Sequence, residues 1–274
     1  MSDYASDLLL DTETVSLRDV ACAGECRHRS PEECAGVTHM VFPYRGVFVR
    51  HVGRRDAVAE ANQVVLFNAA EDYSISHPVS GGDACLSLSM SEDLLAELAP
   101  KDQVRRTGPL AFHRQRRGID PRAQALVALL RHGLRRGGVE TLEAETLTLT
   151  LARRALGERT SHATSATFGR EKLVDRAKLV LSSDLARRWS LADIAAEVGV
   201  SPVYLTQVFR QVEGIPLYRY QLRMRLARAL DLLGKCDDLT ALGLDLGFSS
   251  HSHFSAAFRQ TYGRSPAEFR RSAS

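Results

Sequence analysis

A chain that repeats one two-helix pattern near its end has few folds open to it. Residues 191–266 do so, with the copies roughly 49 positions apart. In the first copy Leu191, Ile194, Ala195 and Val198 fall at i, i+3, i+4 and i+7, and Gly199 interrupts. Leu205, Val208, Phe209 and Val212 then resume the period before Gly214 and Pro216. In the second copy Leu239, Leu242, Gly243 and Leu246 precede Gly247, and Phe254, Ala257 and Phe258 lead to Gly263 and Pro266. Apolar residues at that spacing line one face of a helix. Two such helices around a glycine turn, the second with an aromatic in its core face, predict a helix-turn-helix unit. The first helix and the turn then hold the second so that its outer face can enter the major groove of DNA. Two short amphipathic helices readily imitate one unit; two units in register are harder to imitate. A plain duplicated helical bundle is the competing reading.

Between the copies, Leu217 to Leu233 reads as one helix of about 17 residues, roughly 25 Å long. Pro216 stands at its start, where the missing N–H costs nothing, and Gly234 stands just past its end. A rod of that length can set two groove-reading helices about one DNA turn apart, near 34 Å. Charge agrees: residues 169–274 carry 16 Lys+Arg against 11 Asp+Glu, a net of +5, and the remainder carries −2. A basic module suits a polyanion. Arg210, Arg219, Arg259 and Arg264 are candidate phosphate contacts, with Arg187, Arg188, Arg223, Arg270 and Arg271 behind them.

The runs WSLADIAAEVGVSPVYLTQVFRQVEGIPLYRYQLRMRLARALDLL and LGLDLGFSSHSHFSAAFRQTYGRSPAEFRR resemble the DNA-binding domain of AraC-type transcription regulators. The likeness covers about 100 of the 274 residues. It implies two helix-turn-helix units joined by a long helix and bound to double-stranded promoter DNA. Carried over position by position, it implies base-reading residues Val203, Tyr204 and Gln207 in the first unit and His251, Ser252 and Ala256 in the second. Gln207 and Ala256 depart from the family, where a basic side chain is frequent, so guanine reading by Arg is not available there. Gln can pair with adenine, and Ala can touch a thymine methyl. Gly243 stands where Ala is usual, at a helix cost of about 1 kcal/mol. The resemblance further implies a homodimer, contact with RNA polymerase, activation more than repression, and a cytoplasmic setting.

A length of 274 residues suits two domains. No stretch approaches 18 apolar residues, so neither a membrane span nor a membrane partner is expected. The acidic start lacks the basic end and apolar core of a signal peptide. Five cysteines, an odd number, suit reduced thiols better than a disulfide framework.

From Val37 to Met90, VTHMVFPY, GVFVRHVG, QVVLFN, DYSISHPV and ACLSLSM each read as a strand, with turns at YRG, FNAAEDY and VSGGD. The expected fold class is α+β: a small antiparallel β-barrel and helical hairpin in front, an all-α domain behind. VLFNAAEDYSISHPVSGGDACLSLS resembles the cupin-like sensing segment of the same family. Phe42, Phe48, Phe67 and Tyr73 are candidate effector-pocket residues, with simple core packing as the alternative. His39, His51 and His77 form no His-x-His pair, so a catalytic cupin metal is not expected. Phosphate-loop, nucleophile-elbow and metalloprotease motifs are absent. No cofactor and no enzyme activity are expected. Cys22, Cys26, His28 and Cys34 fall within 13 residues and are candidate ligands for a soft metal, though C-x3-C-x-H-x5-C is not a standard zinc spacing. Packed or surface thiols are the alternative; Cys85 reads as core and Cys236 as incidental.

Asp120-Pro121 opens a helix that Gly137-Gly138 breaks, and Leu142 to Leu156 forms its antiparallel partner. The family resemblance implies dimerisation through this hairpin; packing on its own barrel is the competing reading. Polar residues 157–170 read as a linker. The expected domains are therefore 1–118 for sensing, 119–157 for the hairpin, 158–168 for the linker and 169–274 for DNA binding. The function expected is a sequence-specific transcription regulator responding to a small molecule or other signal. A metal- or thiol-responsive regulator using the cysteine cluster, a cupin enzyme tethered to a DNA-binding module, and an architectural DNA binder remain open beside it.

Overall fold

The structure, a computed structural model, describes residues 4–24, 28–106, 108–157 and 167–273. The chain divides into two compact units, residues 1–161 and 162–274. The first holds strands β1 (Tyr4–Asp11), β2 (Val15–Cys22), β3 (Glu33–Cys34), β4 (His39–Arg45), β5 (Phe48–Val52), β6 (Arg55–Ala59), β7 (Gln63–Phe67), β8 (Asp72–Ser76) and β9 (Asp83–Met90). Helix α1 (Glu92–Leu98), the short strands β10 (Val104–Arg106), β11 (Leu110–Phe112) and β12 (Arg116–Gly118), and helices α2 (Pro121–Arg135) and α3 (Thr141–Leu156) follow.

All five strands expected from sequence are present, but they do not close. Among the described residues they form a six-stranded sheet in the order β1-β2-β9-β4-β7-β12, a four-stranded sheet β3-β8-β5-β6 and a ribbon β10-β11. The expected barrel is thus corrected to two separate sheets. Each strand alternates between two environments because successive side chains leave opposite faces. On β4 and β9, Met40, Phe42, Leu86 and Leu88 enter a core shared with α2 and α3. Val41 and Cys85, one position away, join Phe48 and Ala59 of the smaller sheet in a second cluster.

The hairpin forms as the punctuation dictates. Asp120 accepts a hydrogen bond from Ala123 N at 2.8 Å, capping α2 ahead of Pro121. Ala123, Val127 and Leu130 of α2, with Ala144, Leu151 and Ala155 of α3, pack on the larger sheet. Packing on its own unit is therefore observed for the inner face of the hairpin.

The second unit is helical: α4 (Phe168–Ser183), α5 (Leu191–Val198), α6 (Pro202–Glu213), α7 (Leu217–Leu232), a 3-10 turn (Leu233–Lys235), α8 (Leu239–Asp245), α9 (His251–Tyr262) and α10 (Pro266–Ala273). Most of the expected linker lies outside the described residues, and Phe168 already opens α4. Ser190 and Asp193 form a reciprocal capping box on α5, while Ser201 caps α6 and Ser250 caps α9. Buried Lys178 on α4 meets Glu213 of α6 at 2.6 Å. Phe248, Phe254, Phe258 and Phe269 stack edge to face or tilted, with ring centroids 5.2–5.9 Å apart, as the core beneath α8, α9 and α10. No helix among the described residues is long and apolar enough to cross a membrane.

Candidate nucleic-acid interface and cavity

Helix α6 buries Leu205, Val208 and Phe209 and turns Val203, Tyr204 and Gln207 outward, with Val203 68% and Tyr204 44% exposed. Helix α9 buries Phe254, Ala257 and Phe258 and turns His251, Ser252 and Ala256 outward. Each set of three is a surface stripe on the second helix of its pair, where a groove-reading face belongs. Exposed Val203 and Tyr204 do nothing for this unit's core.

Arg210, Arg219, Arg259 and Arg264 are all exposed. Arg219 donates to the Tyr218 hydroxyl at 3.1 Å, and Arg264 reaches Ser272 Oγ at 3.5 Å. Two of the secondary candidates have structural partners instead. Arg270 donates to Cys236 O at 3.0 Å, tying α10 to the segment before α8, and Arg187 lies over the Trp189 ring at 3.9 Å.

Sequence reasoning missed the residue that joins the two helix pairs. Arg225, midway along α7, donates from Nε to Leu185 O at 2.6 Å and from Nη2 to Arg187 O at 2.7 Å. Longer bonds of 3.3 Å reach Ala186 O and Gly247 O. One guanidinium thereby holds the loop before α5 against the turn between α8 and α9. That approach also explains Gly247, whose φ is +83°: a Cβ there would run into the Ala186 carbonyl. Gly243 is a matter of size. A Cβ on it would stand 3.0 Å from Phe254 Cβ, so the usual Ala would crowd the aromatic.

In the first unit a cavity of about 670 Å³ opens between the two sheets. Phe48, Phe67 and Tyr73 line it as expected. Phe42 does not: it points from β4 into the core under α2 and α3 and is fully buried there. The period of two puts His39 and Val41, not Phe42, on the cavity wall. His39 stacks on Phe67 with centroids 4.8 Å apart, and Arg50 lies 4.0 Å over the same Phe67 ring. Burial, reinforced by the Arg50 guanidinium, lowers the His39 pKa below its ordinary value of 6.5. The Tyr73 hydroxyl donates to Glu33 Oε2 at 3.0 Å.

Of the expected metal ligands, Cys22 and His28 both reach the cavity. Cys34 is exposed on β3, opposite Asp72, and Cys26 lies outside the described residues. Cys85 is buried on β9, and burial pushes its thiol pKa well up. Cys236 donates its thiol to Asp238 O at 3.0 Å. Among the described residues, the ligand atoms brought within 4.8 Å of one another are those of Cys22, His77 and Asp83, the last two missed from sequence.

A family profile described as a helix-turn-helix domain matches residues 194–272, from within α5 to α10. The regulatory protein PocR of Salmonella typhimurium is 36% identical over 91 residues, covering 33% of this chain and 29% of PocR. The transcriptional activator RhaR of Klebsiella pneumoniae is 29% identical over 150 residues, covering 54% of this chain and 53% of RhaR. The chain thus spans about half or less of the length of these two relatives. A crystal structure of an AraC-type transcriptional regulator from Chromobacterium violaceum is 32% identical, with 97% of it covered by 39% of this chain at a TM-score of 0.37. Residues 194–272 thus carry a helix-turn-helix domain similar to those of AraC-type regulators.

Proposed function

We propose that this chain is a sequence-specific DNA-binding transcription regulator whose first unit senses a signal. The observation that carries it is the pair of outward stripes on α6 and α9, both inside the stretch that matches the helix-turn-helix profile. In this reading α5–α6 and α8–α9 act as two helix-turn-helix units. Val203, Tyr204 and Gln207, then His251, Ser252 and Ala256, read base edges, and Arg210, Arg219, Arg259 and Arg264 hold phosphates. Helix α7, 16 residues and so about 24 Å long, spaces the units for successive major grooves.

Within the first unit, residues 1–118 serve as a cupin-like sensor whose cavity takes a small molecule of largely apolar surface. The outer face of the hairpin, with Leu142, Thr146 and Thr150 exposed, supplies a homodimer contact. Dimerisation would double the phosphate contacts and fix half-site spacing. Effector binding shifts the population of DNA-competent arrangements, for which about 1–3 kcal/mol of coupling is typical. Activation is proposed by likeness to RhaR, which is named a transcriptional activator; contact with RNA polymerase and a cytoplasmic setting belong to the same proposal.

Selection of bound genomic fragments by the full chain, followed by footprinting, tests the proposal. One enriched sequence class, protected at two successive major-groove segments per protomer, is the expected result. Equal binding to all duplexes, or protection of one segment per protomer, refutes it.

A further inference from the structure

The DNA-binding proposal leaves Cys22, His77 and Asp83 without a role. We propose that these three side chains form a site for one borderline-soft divalent cation, zinc foremost, with its fourth coordination position open to the cavity.

Strand pairing creates the site. Cys22 at the end of β2 stands directly opposite Asp83 at the start of β9, so their side chains leave the same face. His77 follows β8 and places Nε2 at 2.7 Å from Asp83 Oδ1. His77 is 6% exposed and Asp83 5%. The three ligand atoms lie within 4.8 Å of one another. Tetrahedral zinc, with bonds of about 2.0–2.3 Å, needs its ligand atoms roughly 3.3–3.6 Å apart. Admitting a cation therefore means widening the His77–Asp83 contact by about half an ångström and drawing Cys22 in.

Two further observations favour a cation over a plain hydrogen-bonded pair. Nδ1 of His77 is buried with no hydrogen-bond partner. A buried ring nitrogen without a partner is uncommon in an interior, and it leaves the imidazole tied down by the Asp83 contact alone. The corner is also built rigidly. A Cβ on Gly82 would collide with Cys22 O, and one on Gly46 would come within 2.8 Å of Asp83 Cα. These backbone contacts fix the spacing of the two strand ends before any ligand arrives.

Thiolate, imidazole and carboxylate together suit zinc, whereas magnesium and calcium prefer oxygen alone. Three protein ligands beside an open position leave room for a water or for a donor group of a cavity ligand. The site would hold its cation whether or not the chain reads DNA.

The test is cobalt and zinc titration of the chelator-stripped full chain. One equivalent should bind, with an intense tetrahedral cobalt spectrum and a charge-transfer band of one thiolate. Cys22→Ser should abolish that band, and His77→Gln or Asp83→Asn should weaken zinc at least about 100-fold, beyond the typical effect of supporting residues. Cys34→Ser should keep both the band and the affinity. An absence of stoichiometric binding, an octahedral spectrum, or loss on Cys34→Ser with His77→Gln unaffected overturns the site. Should His77→Gln fail to fold, the thiolate count of the unsubstituted chain decides: one supports the site and two or more overturn it.

Discussion

Replacing Arg225 with Met removes four carbonyl partners from one guanidinium while keeping most of its apolar stem. Two of the bonds, to Leu185 O at 2.6 Å and Arg187 O at 2.7 Å, are short; those to Ala186 O and Gly247 O are 3.3 Å. A hydrogen bond from a charged donor contributes about 1.5–3 kcal/mol. The side chain is only partly buried and the long bonds add little, so we expect a loss of about 2–4 kcal/mol. Trp189, the one tryptophan of the chain, sits in the region being clamped and donates its indole N–H to Asp184 O at 2.9 Å. Its fluorescence therefore reports unfolding of the second unit within the full chain. With a urea slope of about 2 kcal/mol per molar, the midpoint should fall by about 1–2 M. DNA affinity should fall at least about tenfold, the equivalent of 1.4 kcal/mol, because binding must then order two loosened helix pairs. A midpoint within about 0.2 M of the parent, with unchanged DNA affinity, would show that the clamp organises nothing.

Gly243→Ala gains about 1 kcal/mol of helix propensity but crowds Phe254, an overpacking cost of about 1–3 kcal/mol, so calorimetry should find the second unit unchanged or up to about 2 kcal/mol less stable. Clear stabilisation would contradict the crowding. Because burial holds the His39 pKa below 6.5, the unfolded chain takes up a proton near that pH that the folded chain refuses. The first unit should keep this contribution above pH 6.5 and lose it as pH falls further; melting scans from pH 7.5 to 5.5 should show a shallower loss for His39→Gln than for the parent. Gln207→Ala should change preference at one or two base pairs by about 1–3 kcal/mol in competition binding. Arg259→Ala should weaken all duplexes alike and lower the salt slope by about one; a loss confined to one sequence would argue against a phosphate contact.

The helical half was legible because its punctuation is chemical: Ser190, Ser201 and Ser250 cap, Pro202 and Pro266 start helices, and glycines end them. The sheets were legible strand by strand but not in their pairing, since periodicity names faces and not neighbours. That is why a barrel was expected where two sheets form, and why Phe42 was placed one residue off the cavity wall. The β1–β2 hairpin escaped notice because β1 is an edge strand, mostly exposed, with Ser6 and Asp7 interrupting its apolar run. Asp83 lay hidden in a turn and His77 at the end of a strand; the β2–β9 register brings Asp83 beside Cys22, and His77 joins them through its contact with Asp83. Arg225 was one arginine among many on a helix that is buried on most sides.

The six-stranded sheet separates cavity lining from core packing at the scale of single letters. Along β4 and β9, every second position answers to the cavity and the ones between answer to the hairpin above. If the cavity holds an effector as proposed, a lineage, or an engineer, can therefore retune it at His39, Val41, Cys85 and Ser87 while leaving Met40, Phe42, Leu86 and Leu88 untouched. A single-residue insertion in either strand would exchange the two alphabets at one stroke, so substitution, and not length change, is the route by which specificity can drift here.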